Sequence, residues 1–352
     1  MRNYLKIGSA VVFLCLVLGV GLAVLAKQDQ TTIDKSSCAA LPHGEEARKC
    51  YADMLRPKSI DQLQNMFTKV ETMIVDPDYG MHFAIECHEV LHNLGKELDE
   101  SMGPINISQT PVQSCATGFQ HGVAENRLAK LSDTELSASA PSWCEGQDLS
   151  VCRHIIGHVI MRRALIATSL PDFSYVSKAC ATSLQVAGRE AALDEFRCLD
   201  GAYMEWTLWA MRTDDRSVPS PPQVACTDIR DQSLVASSAC LAQVGTLMYG
   251  VYPDAKTTLA ACEETLKDVS VSAVRLCVYS VTNAIGSFTE DPVSAANNLC
   301  KDDLRLDCAI GFVRSASANL GDSTVEDLCG KILQEDVVLC VKESTGPYPF
   351  EY

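Results

Sequence analysis

Along most of its length the chain alternates two kinds of phrase. Short, half-polar stretches end in a cysteine, as in VSKACATS, TLAACEET, AANNLCKDD and VEDLCGKI. The next cysteine opens a longer apolar run: CATGFQHGVAEN, CRHIIGHVIMRR, CLDGAYMEWTLW, CLAQVGTLMYG, CVYSVTNAIG and CAIGFVRSAS. These runs are rich in Ala and Gly and read as buried helices, with strand signals sparse throughout. Their starts, at Cys115, Cys152, Cys198, Cys240, Cys277, Cys308 and Cys340, are separated by steps of 37, 46, 42, 37, 31 and 32 residues. A period of this size predicts an all-α fold, an α-solenoid-like array of helical hairpins that stack to bury a continuous core.

Cysteine usage adds a staple to each hairpin. Of 17 cysteines, Cys15 lies in an apolar N-terminal run and the other 16 follow residue 37. An even, spaced set in an exported chain reads as disulfides. Repetition pairs sequence neighbours: Cys38 with Cys50, Cys87 with Cys115, Cys144 with Cys152, Cys180 with Cys198, Cys226 with Cys240, Cys262 with Cys277, Cys300 with Cys308, and Cys329 with Cys340. Each bridge would tie a short outer helix to its longer inner partner. RSVPSPPQ (216–223) and DPDYG (76–80) carry the Pro and Gly of connections.

Export is also the reading of the N-terminus. Residues 1–6 form a cytoplasmic n-region with Arg2 and Lys6, followed by an uncharged apolar run over 7–26. That run is long enough to span a bilayer as a signal anchor. Val24 and Ala26 also supply the small residues of a cleavable signal peptide. Beyond it lie a polar tether (27–37), an N-terminal helical cap (38–80), a His-rich helical region (81–165) and C-terminal helical repeats (166–352). The remainder is therefore expected to be extracytoplasmic, membrane-anchored or secreted. Asn106-Ile-Ser108 fits the N-glycosylation acceptor pattern.

Charge narrows the partners. With 45 acidic against 29 basic residues and a net charge of −16, the chain lacks the clustered cations that a nucleic acid requires. The expected partners are the membrane, through the N-terminal helix, and a protein or peptide on the repeat surface.

The candidate chemistry lies with histidine. Six of the seven histidines fall between His82 and His158. His88 with His92 and His154 with His158 are i, i+4 pairs, and His121 with Glu125 repeats the spacing between them. Residues four apart share one helix face, so three successive helices, within 81–101, 115–128 and 152–165, each offer a donor pair. Six residues after the leading cysteine come His121, His158, Met204, Thr246, Asn283 and Arg314; two after it come Thr117, His154, Asp200, Ala242, Tyr279 and Ile310. His88 and His92 stand one residue out of this register. The expected metal site comprises His88, His92, His121, Glu125, His154 and His158, enough donors for two neighbouring ions, with Asp200 and Glu205 in reserve. Imidazole and carboxylate suit zinc, iron, manganese or copper alike. Gly95, Gly118, Gly122, Gly157 and Gly201 beside the donors point to close helix approach. His43 and His82 read as structural, and Met204, Trp206 and Trp209 as core.

HEVLHNLG (88–95) resembles the zincin metallopeptidases, in which H-E-x-x-H supplies two zinc ligands and a glutamate base. The resemblance covers eight residues, and Leu98 stands where the extended metzincin pattern has a third histidine. Glu89, turned about 100° from His88, is a candidate catalytic residue beside Glu125. The favoured expectation is a metal-dependent hydrolase or redox enzyme. Its rival is a non-catalytic interaction scaffold in which any metal is structural.

Overall fold

The computed structural model describes residues 35–345, apart from 75, 77, 79, 107–113, 145–148, 168–171, 184–189, 213–221, 231–232, 252–253, 288, 290, 321–324 and 334. Every regular element among them is helical. The N-terminal cap contains α1 (Lys35–Ala39), α2 (Glu45–Leu55) and α3 (Leu63–Ile74). Then come α4 (Gly80–Met102), α5 (Gly118–Leu128), α6 (Asp133–Cys144), α7 (Leu149–Ala167), α8 (Phe173–Ser183) and α9 (Glu190–Arg212). The remainder is α10 (Pro222–Asp228), α11 (Leu234–Gln243), α12 (Gly245–Val251), α13 (Ala255–Leu266), α14 (Val271–Ser287), α15 (Pro292–Leu299), α16 (Arg305–Leu320), α17 (Val325–Ile332) and α18 (Val337–Thr345). The predicted tether ends slightly early, because α1 begins at Lys35. The apolar run 7–26 lies outside the described residues, and no described helix is long and apolar enough to cross a membrane.

Local sequence marks the helix starts. Ser233 caps α11 by accepting from the Ala236 N–H, and Asp254 caps α13 by accepting from Lys256 and Thr257. Asp291 caps α15 ahead of Pro292, whose missing N–H costs nothing in the first turn. All eight neighbour disulfides form. From Cys144–Cys152 to Cys300–Cys308 each joins a short outer helix or its end to the following inner one, as the repetition predicts, and Cys329–Cys340 ties α17 to the terminal α18. Cys87–Cys115 departs from that rule. It ties inner helix α4 to the 3-10 turn Ser114–Thr117 that leads into inner helix α5, because no outer helix lies between them among the described residues.

The inner helices α4, α5, α7, α9, α11–α12, α14 and α16 pack each on the next. The ends of this series meet: α16 lies against the 114–117 turn and α4. Neighbouring inner helices run parallel, since Gly118 sits on the His88 carbonyl and Gly122 on that of His92, four residues further along both chains. Gly157 meets Cys198 and Ala202 backbone, Gly201 meets the His154 carbonyl, Gly245 meets Ser280 and Gly311 meets Tyr279. A side chain at any of these positions would drive two backbones apart, so the glycines serve the close approach that the sequence implied.

Two apolar cores result. One runs from Cys38 to Val123 through the cap, α4 and the start of α5; the other runs from Ala124 to Cys340. Helix α5 contributes to both, which makes it the seam of the molecule.

Gly157→Ala is expected to destabilise the protein by about 1–3 kcal/mol, the usual cost of overpacking. Gly330→Ala, in a helix with open space around its Cα, is expected to stabilise by up to about 1 kcal/mol through helix propensity. Chemical denaturation of the two variants beside the parent checks this; equal effects would mean that the inner helices do not touch through Gly157.

Candidate metal centre

The side chains at the seam come from α4, α5 and α7, and the close helix packing brings their imidazoles together. Ring centroids of His88 and His121 are 5.1 Å apart, those of His121 and His154 5.4 Å, and those of His121 and His158 4.6 Å. His154 and His158 are 4.9 Å apart, and His88 and His92 6.4 Å. The histidines of all three donor pairs expected from spacing thus contribute to one continuous line of rings. Within it, His121, His154 and His158 each place one ring nitrogen within 4.8 Å of the others. Glu125, His158 and Glu205 form a second such group, so His158 belongs to both.

Hydrogen bonds fix which ring nitrogens face the shared space. His154 Nδ1 donates to Asp200 Oδ2 at 3.0 Å and His158 Nδ1 donates to Glu205 Oε2 at 3.3 Å. Carboxylates on Nδ1 keep the proton there and leave Nε2 as the lone-pair nitrogen. The two Nε2 atoms then face each other at 3.1 Å. Two bare acceptors at that distance repel unless a cation stands with them, and ligands on a tetrahedral zinc ion are separated by about 3.3 Å. His121 contributes a third acceptor. Its Nε2 lies 3.0 Å from the Thr117 hydroxyl, while its buried Nδ1 has no hydrogen-bond partner among the described residues. The donor set therefore fits a divalent transition ion on both chemistry and spacing.

Backbone strain holds two of these partners. Cys115 and Thr117 adopt left-handed conformations, φ 54° and 63°. For a β-branched Thr that is costly, about 1–3 kcal/mol, and is tolerated only where the surroundings impose it. The strained turn delivers the Thr117 hydroxyl to His121 and the Cys115 carbonyl to His88 Nδ1 at 3.1 Å, with the Cys87–Cys115 bridge fastening it to α4. Strain of this kind has no signature in the hydrophobic pattern.

The remaining expected donors stand beside the three-histidine group. His92 Nε2 is 3.0 Å from Glu125 Oε1, and the ring's Nδ1 is buried without a partner among the described residues. Glu205 also accepts from Arg162 at 3.0 Å, and Asp200 accepts from Gln243. Asp200 and Glu205, expected only as reserve carboxylates, therefore touch His154 and His158 directly. Glu89 turns toward Arg48 of α2, 3.8 Å away, as its angular offset predicts. His88 and His92 fall in neither three-donor group, so the HEVLH segment supplies flanking imidazoles rather than the closest set. His43 and His82 stack at 4.1 Å; His43 faces Glu86, while His82 contacts Tyr51 and the Leu41 carbonyl, which makes both structural.

Electrostatics divides the histidines. Burial, reinforced by His158, His88, His154 and His92, holds the His121 ring well below the usual value, so it is neutral and ready to ligate. Burial likewise lowers His88, against Glu89. His92 goes the other way: burial pushes it down, but the charge and hydrogen bond of Glu125, with Glu89 and Glu205, raise it above 6.5. Burial pushes Glu125 up, yet His92, Arg162 and Lys96 bring it below 4.5.

No protein family, curated protein or solved structure matches the chain. The eight disulfides fit an oxidising, extracytoplasmic compartment. The class defined by fold and site is an all-helical, disulfide-stapled protein with buried His and Glu groups able to hold a metal ion.

The His92–Glu125 pair has a stability signature in metal-free protein. A raised His favours the fold below its unfolded pKa and loses that advantage as pH rises through its folded pKa; a lowered Glu loses its advantage as pH falls through its folded pKa. The stability difference between the parent and Glu125→Gln is expected to be greatest between about pH 4.5 and 6.5 and to shrink toward pH 8. At its maximum it should reach about 3 kcal/mol, the cost of removing one partner from a buried pair. Urea denaturation in chelator across pH 4–8 reads it; a flat difference would mean that the pair is not ionised.

Proposed function

We propose that the protein is an extracytoplasmic metal-dependent enzyme whose ion is held by His121, His154 and His158. The observation that carries this reading is the opposition of the His154 and His158 Nε2 atoms at 3.1 Å, each made an acceptor by a carboxylate on its other nitrogen. Three protein ligands leave a coordination position for water, as catalytic sites do and closed structural sites do not. A bound divalent ion of this kind lowers the pKa of that water to about 7 and supports hydrolysis. Access comes past His154, whose side chain is 22% exposed while that of His158 is 2%.

The protein residues then divide the work. Asp200 and Glu205 fix the tautomers of His154 and His158, and Thr117 orients His121. Glu125, kept ionised in the second donor group, takes a proton from water as general base. His92 holds the Glu125 carboxylate in place. Imidazole and carboxylate donors suit zinc, iron, manganese or copper alike, and hydrolysis asks of the ion only its charge on a bound water. In the scaffold alternative the concave face of the array binds a protein or peptide and any metal is structural. Contact of α16 with α4 weighs against that reading. The zincin reading draws no support from the pairing of Glu89 with Arg48.

The test is elemental analysis of the full-length oxidised protein purified without added metal and then exposed to zinc, iron, manganese or copper. At least one equivalent of ion is expected in the parent and less than about a tenth of that in a His121→Ala, His158→Ala double variant that keeps its helical circular dichroism. A folded parent that retains none of the four ions would overturn the reading.

A further inference from the structure

The two helices that flank α5 carry the same pattern past the histidines. On α4, His88 and His92 continue at the same spacing to Lys96; on α7, His154 and His158 continue to Arg162. Each stripe thus ends in a cation one further turn along parallel helices, about 6 Å beyond its second histidine. Both stripes lead to the same carboxylates: Lys96 follows His92, which bonds Glu125, and Arg162 bonds Glu205, whose carboxylate groups with Glu125 and His158. Arg162 is tied to Glu205 and 29% exposed. Lys96 is half-buried, and its ammonium group makes no ion pair or hydrogen bond among the described residues.

Charge makes this placement informative. A chain of net charge −16 repels anions over most of its surface. Local carboxylates do not need both cations: Glu125 already has His92, and Glu205 has both His158 and Arg162. Lys96 is then surplus to the internal pairing, held half-buried at the end of the donor stripe where its desolvation gains nothing unless a negative group comes to it.

Resting on the metal-enzyme reading above, we infer that the substrate is an oxyanion, a carboxylate or phosphate compound, whose negative group is received by Lys96 with Arg162 beside it. The anionic group sits about one helical turn from the three-histidine group. Lys96 is a specificity-determining residue in this scheme, and a lysine suits it because its point charge accepts either anion without the planar match that arginine demands.

Isothermal titration of inorganic phosphate, and separately of acetate, into full-length zinc-loaded protein tests this, with zinc counted in each sample. Saturable binding of at least one of the two is expected, weakened at least tenfold in Lys96→Met and retained in Lys96→Arg, with zinc content unchanged in both. Phosphate alone would identify phosphate compounds, acetate alone carboxylates, and either supports the inference. Should Lys96→Met lose its helical circular dichroism, Lys96→Gln takes its place with the same expectation. Binding of neither anion by zinc-loaded parent, or equal binding by parent and Lys96→Met, would overturn the inference and leave the metal centre standing. A parent that holds no zinc or other ion overturns both, and the zinc count tells the two failures apart.

Discussion

Backbone contact between parallel inner helices is the constraint on which the molecule depends. Where Gly118 meets the His88 carbonyl, or Gly201 that of His154, no side chain separates the two helices. Side chains of neighbouring helices are then forced to one side or the other of the contact line. Residues two and six past each leading cysteine emerge together on one side, and imidazoles from different helices come within 4.6 to 5.4 Å of each other. The close approach exacts helix propensity at every glycine, roughly 1 kcal/mol each against alanine. Disulfides offset such losses by limiting the unfolded chain, each by about 2–4 kcal/mol for loops of this size.

Much of this was legible in the sequence, for definite physical reasons. Disulfide pairing followed from repetition because each hairpin solves the same packing problem with the same staple. The shared faces of His88 with His92, His121 with Glu125, and His154 with His158 followed from i, i+4 spacing because a helix face is a geometric certainty once the helix exists. Asp200 was visible as the register mate of His154, and Glu205 as a nearby carboxylate. The strained turn at Cys115 and Thr117 was not legible, since left-handed backbone at non-glycine residues is imposed by tertiary structure. Nor was the closure of the array, because a period fixes the step between repeats and not the small rotation that accumulates into a ring. Arg48, which takes Glu89, comes from the cap and shares no pattern with α4.

Closure changes the meaning of the repeats that lack histidine. In an open array Met204, Thr246, Asn283 and Arg314 would belong to a distant, chemically silent end. With α16 against α4, they occupy the register of His121 and His158 around the rest of one circuit. Contacts follow that circuit. Asp200 reaches from α9 to His154 and accepts from Gln243 of α11, and Arg314 of α16 lies over the Tyr279 ring of α14 at 5.9 Å. Histidines occupy the register positions on one arc, and Met204, Thr246, Asn283 and Arg314 occupy them on the other. The histidine groups are thus confined to one arc of the circuit, and the later repeats keep the helix packing with other side chains in the same register.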